Sequence, residues 1–594
     1  MADRRFHVKA GSAASGTRGL SGGGGRLQRS LGTGWGTRPI GIARESLRRA
    51  RVLATRPIAS VVVRPGRVPP RLLGVPLDIR VADATVAADI YAGYFALADR
   101  AVNLNGRSPF DVASPSEGWA MALHGFGWLR HLRAADTALA RANARAFVDD
   151  WIANGGRHAA AAYDSGVTAR RVLSWLSEAT LLLDGEETPF FRRLMRSLTH
   201  QTTMLRRRLA SGLDGVDRLR VAIAVAHFGL CVDRAVPSRR HSGPLLKELD
   251  RQILPDGGHL SRDPHLLVEL LLDLIPLRQA YAARGAETPP ALLRAIDRMM
   301  PIVRLFRHAD DSLGCFNGTG TTRFEALETV LANDDVSAAP LQRAPYSGYQ
   351  RLEGEDAVLL MDTGTPPPGP FAENAHAGTL SFEFSTEGSV LVVNCGHPDG
   401  RDGPMARAAR ATAAHSTMTL DDTSSARLPP LGGRGWWSTT ALTGGPSAVD
   451  LLRGTDDAGE WVEASHDGYA ASGWLHGRRL ELARDGHRLD GLDTLRPALG
   501  RSPRPALPFA IRFHLHPAAA PSYHLDGSGI VVTLPSGRQW QFAAESVNAA
   551  PVFATVEESI VFAGPDGPRR TTQIVLAGEV AADTAIRWLF TRLG

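Results

Sequence analysis

Two short segments of the chain concentrate side chains that could bind an anion or a metal ion. In the first, LPDGGHLSRDPH, His259 and Arg262 follow a Gly-Gly turn and precede an apolar stretch with helical spacing. A turn that frees backbone N–H groups and presents an imidazole and a guanidinium can hold a carboxylate. The same residues also fit a helix-capping loop with solvated side chains. An anion site and a simple capping loop are therefore both open here.

The second segment, residues 373–422, contains His376 and His415 with strand-like sequence between them. Imidazole nitrogens are common zinc ligands, and three protein ligands suffice for a zinc site. Two histidines this far apart in a chain are nevertheless more often ordinary side chains than ligands. From the residues alone, metal binding at this pair is a hypothesis that needs a third ligand.

Helices are expected to position the first segment. From Ile79 to about Leu331 apolar residues recur at spacings of three and four, and AADIYAGYFALADRAVNL is predicted to be helical throughout. Gly and Asn-Gly breaks separate the stretches that follow. The further predicted helices span 136–153, 166–183, 188–210, 216–232, 242–253, 264–284 and 289–307.

Strands are expected to position the second segment. After Gln342, short runs rich in Val, Leu, Phe and Thr recur between Gly, Pro and Asp residues, as in SVLVVNCG and FAIRFHLHP. Ten or more such runs without helical pattern predict a large antiparallel β-sandwich. The fold class is thus α+β multidomain, with a basic Gly/Arg-rich leader (1–55) predicted to be disordered, a helical domain (78–335) and a β-sandwich domain (340–594).

Charge is unevenly distributed over the 594 residues, whose formal net charge is +6. Residues 1–71 contain fourteen Arg and Lys9 against Asp3 and Glu45, so the rest of the chain is mildly acidic. A basic arm can contact nucleic acid or an anionic membrane, but a disordered tail without such a role is the favoured interpretation. We therefore expect no nucleic-acid partner, and any anion site must be a local pocket.

Several classes of protein are excluded or unsupported. No run of about 18 apolar residues exists, so no transmembrane segment is expected. Cys231, Cys315 and Cys395 are too few and too widely spaced for a disulfide framework or a zinc cluster. Neither a GxSxG sequence nor a nucleotide-binding glycine loop stands between a predicted strand and a predicted helix, as a nucleophile elbow or a phosphate loop requires.

Two longer segments, LPDGGHLSRDPHLLVELLLDLIPLR (254–278) and ENAHAGTLSFEFSTEGSVLVVNCGHPDGRDGPMARAARATAAHSTMTLDD (373–422), carry a family resemblance. With the order of helices then strands, the chain resembles the heparinase II/III-like proteins, which include polysaccharide lyases. The resemblance covers most of residues 80–594. It implies an incomplete (α/α) toroid followed by an antiparallel β-sandwich, with an active site between them.

The resemblance also implies β-elimination on uronate-containing glycans. In that reaction a cationic or polar group neutralises the uronate carboxylate, a base removes the C5 proton, and an acid protonates the departing O4. The catalytic candidates on the matching positions are His259, His265 and Asn374. Asn374 replaces the first His of the family's His-x-His pattern, and no Tyr stands near Pro264–Leu266, where the family has its catalytic Tyr. Arg170, Arg262 and Tyr349 are the candidate substrate contacts.

One zinc ion in the sandwich is a further implication of the resemblance. His376 matches the second His of the His-x-His pattern, and His415 matches a later ligand His. Asn394 stands where the family has an Asp, and a neutral amide is a weaker ligand for a hard cation. The metal candidates are therefore His376, Asn394 and His415, and we expect them to meet His259 in one groove between the two halves.

Two functions remain open at this stage. The first is a polysaccharide lyase-like protein that cleaves acidic, uronate-containing polysaccharides or oligosaccharides. The second is a catalytically impaired glycan-binding or envelope-assembly protein on the same scaffold, which the missing Tyr favours. The compartment is equally open. The leader lacks the apolar core of a signal peptide, which favours the cytoplasm, whereas the family resemblance implies the cell envelope, in the periplasm or outside the cell.

Overall fold

The computed structural model describes residues 28–31, 68–69, 71–98, 100–154, 160–183, 189–233, 239–334, 339–398, 403–429, 441–498, 506–524, 529–548, 552–564 and 567–593. Within the predicted disordered leader, 1–55, only Gln28–Leu31 is described, and it forms a strand. The remainder of that prediction lies outside the described residues.

A helical domain comes first, as predicted. Its helices in the described ranges are α1 (Ala84–Tyr91), α2 (Glu117–Gly125), α3 (Leu129–Ala135), α4 (Ala138–Ala153), α5 (Ser165–Ser177), α6 (Ala179–Leu182), α7 (Pro189–Ala210), α8 (Val216–Val232), α9 (Arg239–Gln252), α10 (Pro264–Ala283), α11 (Pro290–Leu305) and α12 (Phe324–Ala332). The helices predicted from 136 onward agree closely with α4 to α11. None of the helices described is long and apolar enough to cross a membrane.

The helix predicted across AADIYAGYFALADRAVNL is wrong in its second half. Helix α1 ends at Tyr91, and Gly93 adopts a φ of 82°, a left-handed conformation that stops a helix. The residues that follow form a two-stranded hairpin, β2 (Tyr94–Leu97) paired with β3 (Arg100–Asn103). A short apolar run does not distinguish strand from helix, so the glycine was the decisive local signal.

Two antiparallel sheets form the second domain, which confirms the predicted fold class. Their strands are β1 (Gln28–Leu31), β4 (Arg343–Ala344), β5 (Tyr349–Glu353), β6 (Ala357–Asp362), β7 (Phe382–Thr386), β8 (Ser389–Val393), β9 (Met418–Leu420), β10 (Ala448–Thr455), β11 (Gly459–His466), β12 (Trp474–Ala483), β13 (Arg488–Pro497), β14 (Leu507–Leu515), β15 (Ala520–Tyr523), β16 (Ile530–Thr533), β17 (Gln539–Ser546), β18 (Phe553–Val561), β19 (Arg569–Val580) and β20 (Thr584–Leu593). One sheet has the order β1-β10-β11-β12-β13-β20-β17-β16-β15, and the other has the order β18-β19-β14-β8-β7-β6-β5-β4, with β9 also paired to β14. A short helix, α13 (Pro404–Ala409), follows β8.

The two domains share a packed contact. Helix α10 is apolar over most of its surface and lies in the core of the helical domain. Ala344, Tyr349, Val358 and Leu360, from the first strands of the sandwich, belong to the same buried cluster. The turn before α10 is therefore held between the domains, where the sequence predicted the site.

Candidate functional site

A cavity of about 90 Å³ lies where the helical domain meets the sandwich. The loop before α8, the turn before α10 and residues 370–374 contribute its walls. Its charged and polar side chains are Asp214, Asp217, Arg220, Ser261, Asp263, Glu373 and Asn374. Ordinary small-molecule pockets enclose roughly 300–1,000 Å³, so this cavity is small for a glycan segment.

Negative charge dominates the described lining of this cavity, with four carboxylates against the guanidinium of Arg220. That guanidinium lies 3.5 Å from a carboxylate oxygen of Asp217. Asp263 caps α10, accepting hydrogen bonds from the backbone N–H of Leu266 (3.3 Å) and the hydroxyl of Thr319 (3.1 Å). Burial raises the pKa of Asp263. Arg251 pairs with Asp214 from outside the lining, but the lining itself still offers more carboxylates than cations, which disfavours the binding of a uronate carboxylate.

Asn374 is the one predicted catalytic residue found in the lining of the cavity. Its side chain is exposed and its Cβ packs against Gly318, where an added Cβ would lie 2.9 Å away. An amide at this position can donate and accept hydrogen bonds. It cannot act as a base near neutral pH.

His259 supports the cavity wall from behind. The side chain is 1% exposed, its Nε2 donates to the amide oxygen of Gln252 (2.9 Å), and its Nδ1 accepts from the backbone N–H of Ser261 (3.0 Å). Burial, with a contribution from Arg220, lowers the pKa of His259 to about 3. The ring also meets Phe371, which lines the cavity, edge-on at 5.7 Å. A neutral imidazole with both nitrogens engaged positions the wall and is poorly placed to remove a proton.

His265 on α10 and Arg170 on α5 both lie outside the lining of the cavity. His265 is half-buried, and its Nδ1 lies 2.8 Å from the hydroxyl of Thr322. Asp273, two helical turns further along the same face, forms an ion pair with Arg170 and another with Arg80 at 2.9 Å. Arg170, predicted as a substrate contact, is thus engaged in an ion pair within the helical domain.

Arg262 fastens the helical domain to the sandwich. The side chain is 8% exposed, and its guanidinium donates to the carbonyl oxygens of Ser347 (2.7 Å), Gly348 (3.1 Å) and Thr365 (3.0 Å). It also forms an ion pair with Asp362. These bonds engage most of its N–H groups, so the predicted substrate contact does not fit the position of Arg262.

Tyr349 lies beneath the same guanidinium, with the Arg262 Cζ 4.8 Å from its ring centre. Its hydroxyl donates to the carbonyl oxygen of Arg262 (2.6 Å) and accepts from the amide of Asn317 (2.7 Å). The side chain is 1% exposed, and burial raises the pKa of Tyr349 far above its ordinary value. The predicted substrate contact therefore corresponds to a buried packing residue.

The predicted metal histidines form a head-to-tail chain of imidazoles. His415 Nδ1 donates to the carbonyl oxygen of Ala411 (2.8 Å), so its Nε2 accepts from Nδ1 of His376 (3.0 Å). The Nε2 of His376 in turn accepts from Nδ1 of His397 (3.2 Å). Burial is the main reason that the pKa of His376 lies well below its ordinary value and that of His415 falls to about 4. Both of these rings are therefore neutral near pH 7.

Asn394, the third predicted metal ligand, is fully buried beside this chain. Its side-chain oxygen accepts a hydrogen bond from the backbone N–H of Ser416 (3.0 Å). The remaining polar atom, Nδ2, has no acceptor among the described residues and is a donor, not a ligand. No group of three His, Cys, Asp or Glu side chains in the described ranges is placed to hold a metal ion. The residues as arranged do not fit the zinc ion that the family resemblance implied.

The expected convergence in one groove is not what the fold provides. His259 bonds with Gln252 and Ser261, while His376 and His415 bond with each other. None of these three imidazoles lines the cavity. The two histidine groups are buried and share no hydrogen bond.

Sequence reasoning missed the acidic lining and one histidine. The sequence did not predict Asp217, Arg220 and Glu373 as site residues, because none of them belongs to a recognisable motif. His397 lies in NCGHPDG, inside the segment that carried the resemblance, and its Gly-His-Pro context was a usable signal. Asp263 was visible as the residue before a helix-starting Pro.

Comparisons with known proteins agree with this architecture. The family described as "Heparinase II/III-like, C-terminal" matches residues 337–589. FtsZ-localized protein C of Caulobacter vibrioides (strain NA1000 / CB15N) is 33% identical over 550 residues, which is 88% of this chain and 91% of that protein.

Solved structures show the same fold at low sequence identity. The crystal structure of heparinase III aligns with a TM-score of 0.66 and 13% identity, over 91% of this chain and 89% of that one. Heparan sulfate lyase HepC from Pedobacter heparinus aligns with a TM-score of 0.54 and 15% identity, over 93% of this chain and 88% of that one. An (α/α) toroid followed by a β-sandwich, the matched C-terminal domain and the extended similarity together lead to one conclusion: the chain belongs to the heparinase II/III-like family.

Proposed function

We propose that this protein is a non-cleaving member of its family that works with the FtsZ-based division machinery in assembly of the cell envelope. The observation that carries the proposal is the chemistry of the cavity between the domains. Its described lining offers four carboxylates and one arginine, with no tyrosine, histidine or lysine. The name of the relative, FtsZ-localized protein C, supports the placement at the division site.

β-Elimination on a uronate needs positive or polar groups around the sugar carboxylate before the C5 proton can be removed. In this cavity Arg220 is close to Asp217, which offsets its charge. The carboxylate groups of the lining could act as bases only in the ionised state, in which they would also repel the substrate carboxylate. A lyase acting on acidic glycans is therefore the weaker candidate.

Localisation in living cells tests the positive part of the proposal. A fluorescent fusion of the full chain, expressed in its own host beside labelled FtsZ, is expected to form a band that coincides with the FtsZ ring. The band should disperse when FtsZ is depleted. A uniform distribution that ignores FtsZ would overturn the placement.

Catalysis is tested with the purified full chain on heparan sulfate, chondroitin sulfate and alginate oligomers. We expect no rise in the absorbance of unsaturated uronate between mildly acidic and alkaline pH. An Asn374→Ala variant is the matched control, because it alters the cavity without touching a buried bond. Turnover by the wild type that Asn374→Ala abolishes would establish the lyase instead.

A further inference from the structure

We infer that His376, Asn394 and His415 form a metal-free structural core in this chain, and that Asn394 is the residue that keeps zinc from binding there. The family resemblance implied a zinc ion held by two histidines and an aspartate. Two independent features of the described residues, the hydrogen-bond direction in the histidine chain and the engagement of Asn394, support a different arrangement.

The direction of the hydrogen bonds is fixed at one end. Because the carbonyl oxygen of Ala411 can only accept, His415 carries its proton on Nδ1. The Nε2 of His415 then has its lone pair directed at the proton on Nδ1 of His376, 3.0 Å away. Coordination of zinc by both of these nitrogens would require His376 to carry its proton on Nε2, and it would then lose the hydrogen bond that this atom accepts from His397.

The other nitrogen of His376 is also engaged. Its Nε2 accepts from Nδ1 of His397 at 3.2 Å, on the opposite side of the ring. The two partners of His376 therefore lie on opposite sides of its ring, so a zinc ion would have to displace one of them, and a charged third ligand would have to offset that loss. Both ring nitrogens of His376 thus have imidazole partners without a cation.

The side chain of Asn394 disfavours the binding of a zinc ion beside these histidines. The backbone N–H of Ser416 donates to its side-chain oxygen, which fixes the amide orientation. An aspartate in the same position would accept that bond with one oxygen and offer the second, charged oxygen to a metal. In asparagine the corresponding atom is Nδ2, a buried donor without an acceptor among the described residues. The substitution thus removes both a ligand atom and the negative charge that a divalent cation requires.

The test compares the wild type with Asn394→Asp, both purified from zinc-supplemented cultures without affinity metals. For the wild type we expect zinc well below one ion per chain and a Tm that neither EDTA nor added zinc changes. For Asn394→Asp we expect about one zinc per chain and a Tm that rises by several degrees with zinc and falls with EDTA, since a ligand that binds only the folded state stabilises it.

Asn317→Asp is the matched control, because Asn317 is also buried and its side chain bonds Tyr349 and backbone groups, not an imidazole ring. It should be destabilised equally with and without zinc. One zinc per wild-type chain, with a Tm lowered by EDTA, would overturn the inference. So would an Asn394→Asp protein that folds and ignores zinc. If that variant fails to fold, the zinc content and EDTA response of the wild type still decide the question.

Discussion

The guanidinium of Arg262, in the turn before α10, forms an ion pair with the carboxylate of Asp362 at the end of β6, across the contact between the two domains. Both side chains are buried, at 8% and 2% exposure. Burial raises the pKa of Asp362, and Arg262 is the largest influence in the opposite direction. Arg262, which the sequence predicted as a substrate contact, is therefore a structural contact between the two domains.

Removing one partner of this pair should be strongly destabilising. Arg262→Ala leaves Asp362 as a buried carboxylate without its cation, and breaking a buried pair in this way typically costs about 3–5 kcal/mol. We expect a loss of that size in the free energy of unfolding, measured by urea denaturation. The double variant Arg262→Ala/Asp362→Asn should lose less free energy of unfolding than the sum of the two single variants. Additive losses in this double-mutant cycle would argue against direct coupling of the two side chains.

Tyr349→Phe should lower stability without bearing on any activity. The change removes a hydroxyl that donates to the Arg262 carbonyl and accepts from Asn317, leaving buried polar groups without full partners. The expected loss is about 1–3 kcal/mol. Tyr346→Phe, at a side chain 64% exposed, is the control and should stay within about 0.5 kcal/mol of the wild type. Equal effects of the two changes would contradict the packing role.

Acid should destabilise the fold in part through His259. Its pKa falls from 6.5 in the unfolded chain to about 3 in the folded protein, mainly through burial. Between these values the unfolded state binds a proton that the native state does not, so stability is complete above 6.5 and declines as pH falls toward 3. One such histidine contributes a loss of roughly 2 kcal/mol at about pH 5.

A His259→Gln variant measures that contribution. Glutamine does not titrate, so the difference in unfolding free energy between about pH 7 and pH 5 should be smaller than in the wild type. Other buried histidines, including His514 and His415, keep the remaining pH dependence in both proteins. An identical pH profile for the two proteins would show that His259 is not buried neutral.

A second buried charge network in the sandwich should be equally sensitive. Asp493 is fully buried and accepts from Arg478 through both of its oxygens (2.9 Å each), from His476 (2.7 Å) and from the indole of Trp588 (2.8 Å). Asp493→Ala leaves the arginine unpaired, with an expected loss of about 3–5 kcal/mol in urea unfolding. Arg488→Ala, which breaks an exposed pair with Asp490, should change stability by about 0–1 kcal/mol. Comparable losses of unfolding free energy from the two substitutions would mean that burial of the ion pair does not determine its contribution to stability.

Sequence alone determined the order and approximate bounds of most elements. The apolar spacing of 216–232 gave helix α8 within its observed limits, and the alternation in RRLELARDG and RFHLHP gave strands β12 and β14. Such periodicities are local, because they depend on how a helix or a strand presents its own neighbours. The family resemblance likewise rested on contiguous motifs, and the fold it implied was found.

Tertiary structure decided which side chains are available for chemistry. The partners of Arg262 lie 85 to 103 residues further along the chain, and the histidine chain joins His376 to residues 21 and 39 positions away. The acidic cavity combines Gly318 with three segments, near 214–220, 261–266 and 370–374, and none of these segments is by itself acidic enough to indicate a site. The hydrogen bonds and the burial of a side chain depend on groups that are distant in the sequence. The residue types therefore suggested a lyase site, whereas in the folded protein most of these side chains are buried and bonded to other groups.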